Sequence, residues 1–192
     1  MDIEQTALPG VLIIKPVVHH DARGYLFESY RSDKLAAAGL PAFVQDNQSR
    51  SVPRTIRGLH YQLARPQAKL VRVLRGQVFD VAVDIRRGSP TFGRWVGQVL
   101  SADNKVALYI PPGFAHGFCA MGQEDAEVLY RCSDYYSGPG DQKGVLFNDP
   151  GLGINWPIEG PLVSDKDAAL LPLDPARADL PLFELNSKRP GP

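Results

Sequence analysis

The sequence predicts an all-β protein, an antiparallel sandwich or barrel, and three observations carry that prediction. Between Val11 and Arg131 the chain is a series of short runs rich in Val, Ile, Leu, Phe and Tyr, separated by Gly, Pro, Asn or Asp. Short strands of even spacing with turn residues between them are the pattern of such folds. Several runs alternate apolar and polar residues, and a period of two sends every second side chain to one face of a sheet. Helical patterning is scarce.

In chain order, VLIIKPVV from Val11 and GYLFESY from Gly24 open the series. SDKLAAAGL, Ser32 to Leu40, reads as a short helix, with Ser32 of N-cap type and Gly39 as its stop. The strand candidates then resume with FVQDNQS from Phe43, TIRGLHYQ from Thr55 and KLVRVLR from Lys69. In QVFDVAVDIR, from Gln77, the alternation puts Phe79, Val81, Val83 and Ile85 on one face. Asp80 and Asp84 fall on the other, expected to be the wetter one. RRGSPTFG, Arg86 to Gly93, is a loop by its Ser-Pro and Gly content. RWVGQVL, KVALYI, AHGFCAM and AEVLYR complete the strand candidates. SDKDAALL, from Ser164, predicts a second short helix, with Ser164 as cap and acidic residues in its first turn. From about residue 172 the chain is Pro-rich and reads as an irregular tail to residue 192, its end NSKRPGP frayed. No repeat or linker interrupts the chain, so residues 1–192 are expected to form one domain.

Composition excludes several classes of function. A chain of 192 residues is long enough for one sizeable core. Lys plus Arg number 21 against 21 Asp plus Glu, so the overall charge calls for neither nucleic acid nor an anionic membrane. No apolar run approaches the roughly 18 residues of a membrane span, and MDIEQTALPG has neither the basic start nor the apolar core of a signal peptide. A cytoplasmic location is expected. Cys119 and Cys132 lie in apolar strand-like runs and are expected to be buried thiols rather than a disulfide or metal pair.

The chemistry concentrates in two stretches. TIRGLHYQLARPQAKLVRVLRG, Thr55 to Gly76, places Arg57, His60 and Lys69 on or beside two alternating runs, where they look into one cavity. PPGFAHGF, Pro111 to Phe118, brings His116 to another apolar strand after a Pro/Gly turn. Two histidines, an arginine and a lysine point to an anionic ligand and to proton chemistry. The spacing of the two stretches resembles a cupin jelly roll, in which two short strand motifs face each other inside a small barrel. Metal-binding cupins carry a second His two residues after the first and a carboxylate further on. Here the first position is Gln62, and no acidic residue occurs between His60 and Phe79. His60 and His116 alone do not supply the three or four ligands of such a site, so no metal is expected.

A closer resemblance runs from about Leu8 to Pro172. DARGYLFESY, FVQDNQSRS, IRGLHYQ, KLVRVLRGQVFDVAVDIRRGSPTFG, IPPGFAHGF, LYRCSDYY, NDPGLGINWP and SDKD, in this order, resemble the dTDP-4-dehydrorhamnose 3,5-epimerase family. The resemblance implies inversion of C3 and C5 of dTDP-4-dehydro-6-deoxy-D-glucose, to give dTDP-4-dehydro-L-rhamnose, without metal or redox cofactor. It implies a homodimer with exchanged N-terminal strands. His60 is then the base, with Asp167 orienting its ring, Lys69 faces the C4 oxygen, and Tyr130 is the acid on the opposite face. His116 is a pocket residue near the sugar, and Tyr136 stacks on the thymine, with Tyr135 as the alternative. Gln45, Asn47, Arg57 and Lys166 resemble diphosphate or sugar contacts, a task suited to the arginine fork. Arg23 and Glu28 resemble residues that reach across the dimer toward the base. The chain departs from the family at SGPGDQKG, where the ligand-facing acidic position falls on Asp141 or a neighbour. Rival readings are a mono-epimerase or 3,4-ketoisomerase of nucleotide sugars, and a sugar-nucleotide binding module without catalysis. The filled acid and base positions favour epimerisation, which likeness of fold alone would not.

Overall fold

A computed structural model of the chain describes residues 1–183. Thirteen strands dominate it. Two short strands, β1 (Asp2–Gln5) and β2 (Leu12–Lys15), pair antiparallel at the N-terminus. A hairpin of β3 (Val18–Asp21) and β4 (Gly24–Phe27) follows. After the helix α1 (Ser32–Ala37) come β5 (Gln45–Ser51), β6 (Ile56–Gln62), β7 (Lys69–Arg75) and β8 (Gln77–Asp84). The remaining strands are β9 (Trp95–Ser101), β10 (Ala107–Ile110), β11 (Phe114–Met121), β12 (Ala126–Cys132) and β13 (Gln142–Gly144). A one-turn helix, α2 (Asp165–Ala168), closes the list of elements.

The strands form two facing sheets. One runs β1-β2-β10-β7-β12-β5, the other β13-β6-β11-β8-β9, and the β3-β4 hairpin stands apart from both. Between the sheets lies a core of Val71, Val73, Leu108 and Val128 from the first and Val78, Ala82, Leu100, Phe118 and Ala120 from the second. This is the expected all-β jelly roll with a few short helices. Every expected strand segment is present in part or whole, whereas β1 and β13 lie outside the apolar runs that the sequence offers and β3 shares only Val18 with one.

The sheet that holds β8 is covered on its outer face as well, and this corrects one expectation. Val81, Val83, Ile85, Leu59 and Tyr61 face outward and are buried by Val145, Leu152 and Leu180 of the C-terminal half. The polar phase of β8 therefore points between the sheets, with Val78 and Ala82. Asp80 and Asp84 are both 0% exposed instead of lying on a wetter face. Burial of both faces is what removes the solvent-facing side that alternation suggested. Asp84 is satisfied there by Arg86, Ser89 and Thr91, so it holds the loop after its own strand.

The first helix differs from expectation at its start. Arg31, not Ser32, occupies the N-cap position, and no side chain caps the turn. The Arg31 guanidinium instead bridges Asp33 and Glu28, and Glu28 also accepts from Lys34, so ion pairs pin this end. Gly39 ends the helix as expected, with φ at 79° and its N–H on the Ala36 carbonyl. Residues 173–183 hold no regular element yet are packed. Leu180 is 2% exposed, and Arg177 donates to Asp179, the Tyr61 hydroxyl and the Gly144 carbonyl. NSKRPGP lies outside the described residues. Cys119 and Cys132 are free, buried thiols, as expected. Among the described residues no helix is long and apolar enough to cross a membrane.

Candidate active site

The site begins where β6 meets β11. Gly58 and Gly117 let the two backbones approach: a Cβ on Gly58, where φ is +120°, would stand 2.6 Å from the Gly117 Cα. Only glycine fits such contact at positive φ. The register shifts between His116 and Phe118, which leaves His116 directly opposite His60. Two imidazoles thus stand side by side on adjacent strands.

Each ring is held by a carboxylate from a different element. His60 Nε2 lies 2.7 Å from Asp167 Oδ1, and the Gly58 N–H donates to Asp167 Oδ2 at 3.1 Å. Asp167 is set in place by α2, where its N–H donates to the Ser164 hydroxyl at the expected cap. Burial acts to raise the Asp167 pKa, but the bonds from His60 and Gly58 and the Lys166 charge outweigh it, and the carboxyl sits below its ordinary value. It stays charged beside the ring and accepts from Nε2–H, leaving Nδ1 of His60 as the basic atom. His116 Nε2 lies 2.9 and 3.1 Å from the two oxygens of Asp80.

Lys69 and Tyr130 come from the other sheet. Tyr130 on β12 pairs with Val71 of β7 and Asn47 of β5, and Lys69 pairs with Cys132. Burial pulls the Lys69 ammonium below its ordinary range, opposed by Cys132 and Asp80. Burial pushes the Tyr130 phenol above its ordinary range, with Cys132 adding and Arg57 opposing.

Between these walls run two adjoining cavities, of about 330 and 310 Å³, that share His60, Lys69, Tyr130 and Gln142. The first adds Gln45, Asn47, Gln67 and Tyr136; the second adds Arg57, His116, Lys166 and Asp167. Arg57, Lys69 and Lys166 set three cations against the single carboxylate of Asp167 in the second cavity, a balance that favours an anionic ligand. Of the Tyr135–Tyr136 pair, it is Tyr136 that lines the cleft. Its N–H donates to Gln45 and its hydroxyl to Gln142, which also accepts from Lys166.

Three expected binding residues lie outside the cleft of this chain. Arg23, in the β3-β4 hairpin, bonds Asp21, and Glu28 serves α1. Asp141 accepts from the N–H groups of Leu63, Ala64 and Arg65 and from Ser137, so its carboxylate shapes the loop after β6, and the adjacent Gln142 faces the cleft. Of Asp141 and its neighbours it is thus Gln142 that takes the cleft-facing position, and Asp80 and Gln67 are residues that sequence reasoning passed over. The signal for Asp80 was its phase with Val78 and Ala82; Gln67, in a loop between strands, gave none. Among the described residues no three His, Cys, Asp or Glu side chains converge as metal ligands.

A jelly roll with a histidine–carboxylate pair on one wall and a lysine and tyrosine on the other, around a cationic cleft, defines a carbohydrate epimerase of cupin-like fold. Comparison with known proteins narrows this. The family model described as dTDP-4-dehydrorhamnose 3,5-epimerase matches residues 5–174. A protein of that name from Pseudomonas aeruginosa is 51% identical over 170 residues, 87% of this chain and 93% of the relative. Another, from Neisseria gonorrhoeae, is 51% identical over 174 residues, 88% of this chain, which spans only about half (52%) of that longer relative. The crystal structure of dTDP-6-deoxy-D-glucose-3,5-epimerase from Legionella pneumophila Philadelphia 1, in complex with dTDP-4-keto-L-rhamnose, superposes with a TM-score of 0.92 at 45% identity. It covers 96% of this chain and 99% of that one. The chain belongs to the dTDP-4-dehydrorhamnose 3,5-epimerase family.

Proposed function

We propose that this protein inverts C3 and C5 of dTDP-4-dehydro-6-deoxy-D-glucose to give dTDP-4-dehydro-L-rhamnose. The observation that carries this reading is the separation of His60 from Tyr130 across the cleft, on different sheets, with Lys69 beside Tyr130. Inversion next to a ketone removes a proton from one face, holds an enolate, and returns a proton to the other face. His60 takes the carbon-bound proton, and the Asp167 carboxylate stabilises the imidazolium so formed. The Lys69 ammonium faces the C4 oxygen and stabilises the enolate in a low-dielectric wall, where a fixed charge is worth more than in water. Tyr130, a neutral phenol, protonates the opposite face. His60 returns its proton to solvent, Tyr130 regains one from it, and the cycle repeats at the second carbon.

Binding is divided along the cleft. Arg57 and Lys166 meet the diphosphate, with Gln45 and Asn47 beside it, His116 adjoins the sugar, and Tyr136 stacks on the thymine. Arg23 and Glu28 reach the cleft of a second copy in a homodimer through the β3-β4 hairpin, which stands apart from both sheets of its own chain.

The deciding experiment is proton NMR of the 4-keto sugar nucleotide with the enzyme in deuterated water. Solvent deuterium at C3 and C5 with inversion at both is expected. Inversion at one carbon only moves the assignment to a mono-epimerase, and binding without exchange moves it to a non-catalytic module.

A further inference from the structure

The mechanism above leaves one buried carboxylate without a task. Asp80 is 0% exposed and lines neither cavity. Both of its oxygens face Nε2 of His116, which does line the cleft. Asp84, four residues further along β8, shows the alternative use of a carboxylate: it ties down Arg86, Ser89 and Thr91 and touches no ligand wall. Asp80 braces no loop. Its partner is a ring in the wall of the site.

We propose that Asp80 is a positioning residue acting through His116, holding that ring with its proton on Nε2 so that Nδ1 is the atom offered to the sugar. A carboxylate only accepts, so the nitrogen it faces carries the hydrogen. Burial holds His116 below the ordinary histidine range; Asp80 opposes this, and the nearby Lys69 and His60 add to it. Burial thus favours the neutral ring, and the second nitrogen of a neutral imidazole is an acceptor. The group it takes is a hydroxyl of the sugar, the donor that a 4-keto hexose carries next to its ketone.

The neighbouring strand supplies a comparison within the same site. His60 and His116 are cross-strand partners, and both use Nε2 on a carboxylate. They differ in access: the His60 side chain is 25% exposed and that of His116 is 8%. The open ring exchanges protons with solvent, as a base must; the enclosed ring keeps one tautomer, as a binding group must. The charged and titratable groups around the pair are Lys69 from β7, Arg57 and His60 from β6, Cys119 from β11, Tyr130 and Cys132 from β12, and Lys166 and Asp167 from α2.

Asp80→Asn tests this, since a carboxamide donates as well as accepts and releases the tautomer. The kinetic arm rests on the epimerase reading; the spectroscopic arm does not. Turnover should fall about ten- to a hundredfold, the range known for removing the partner that orients a metal-bound histidine. Affinity for dTDP, which lacks the 4-keto hexose, should stay unchanged. In a His116→Gln background the same substitution should add no further loss, because its effect passes through that ring. An equal loss in both backgrounds, or a lowered unfolding temperature with weakened dTDP binding, would make Asp80 a brace of the fold and overturn the proposal. Nitrogen-15 NMR of the unaltered protein gives an answer whether or not the variant folds. The Nε2–H tautomer of His116 is expected at neutral pH, and an Nδ1–H ring or an imidazolium would overturn it. Should the unaltered protein leave the dTDP sugar untouched, the functional reading falls while the tautomer still judges Asp80.

Discussion

Single side chains divide the proposed reaction into separable steps. In Tyr130→Phe the base and Lys69 remain, so the enolate still forms and is reprotonated from the side it came from. Inversion should drop about 10²- to 10⁴-fold, the cost of losing a positioned general acid, while deuterium exchange drops much less. NMR of the ratio of exchange to inversion is the measurement, and equal losses in both would place Tyr130 in enolate formation instead. The pH dependence belongs to Lys69. Burial lowers its pKa, so the charge that stabilises the enolate is present at low pH and lost as pH rises, below the ordinary lysine value of about 10.4. Tyr130, raised by burial, keeps its proton through that rise. The alkaline limb of kcat/KM should therefore report Lys69. In Lys69→Arg, whose guanidinium does not deprotonate there, the residual activity should show no such limb. A limb that persists unchanged would assign it elsewhere.

Elements decide whether those side chains meet. The contact of β6 with β11 at Gly58 and Gly117 sets the two histidines side by side, and no nearby backbone has room for a Cβ. Gly58→Ala should cost at least about 1–3 kcal/mol from its positive φ alone. It should also move His60 away from Asp167. Urea unfolding and turnover read these two effects, and a variant as stable and as active as the parent would show that the strands tolerate separation. The one-turn helix α2 works in the same way on a smaller scale. Ser164 caps it, and the cap fixes the turn that carries Asp167 to the ring of His60, more than a hundred residues away in sequence.

At the scale of the molecule, two sheets enclose the site and the C-terminal half covers one of them from outside. Leu180 belongs to that cover. Leu180→Ala should lower stability by about 2–5 kcal/mol, the range for a buried leucine, without changing dTDP affinity, since it faces away from the cleft; calorimetry and a binding titration check the pair of outcomes. Much of this architecture was legible in the sequence. Alternation and turn residues specify β5 to β12 because strand pairing and burial act on local patterns, and Ser164 and Gly39 mark helix ends for equally local reasons. Arg57, His60, Lys69 and His116 were legible as a cluster from alternation and turn residues, whereas Tyr130, Asp167 and the task of each residue were legible only through the ordered likeness to a family, because no local pattern tells a tyrosine in a cavity from one in the core. Strands β1 and β13, and β3 beyond Val18, escaped notice because they carry too few apolar residues for a signal and exist by pairing with partners elsewhere. The sequence by itself determined that the chain alternates, turns and buries a sheet core, since these follow from each residue and its near neighbours. Only the tertiary structure decided which phase of β8 is interior, that Asp141 feeds a loop while Gln142 faces the cleft, and that Asp80 meets His116. Those outcomes depend on what covers the far face of a sheet and which backbone amides come within reach, and both are set by residues distant in the chain.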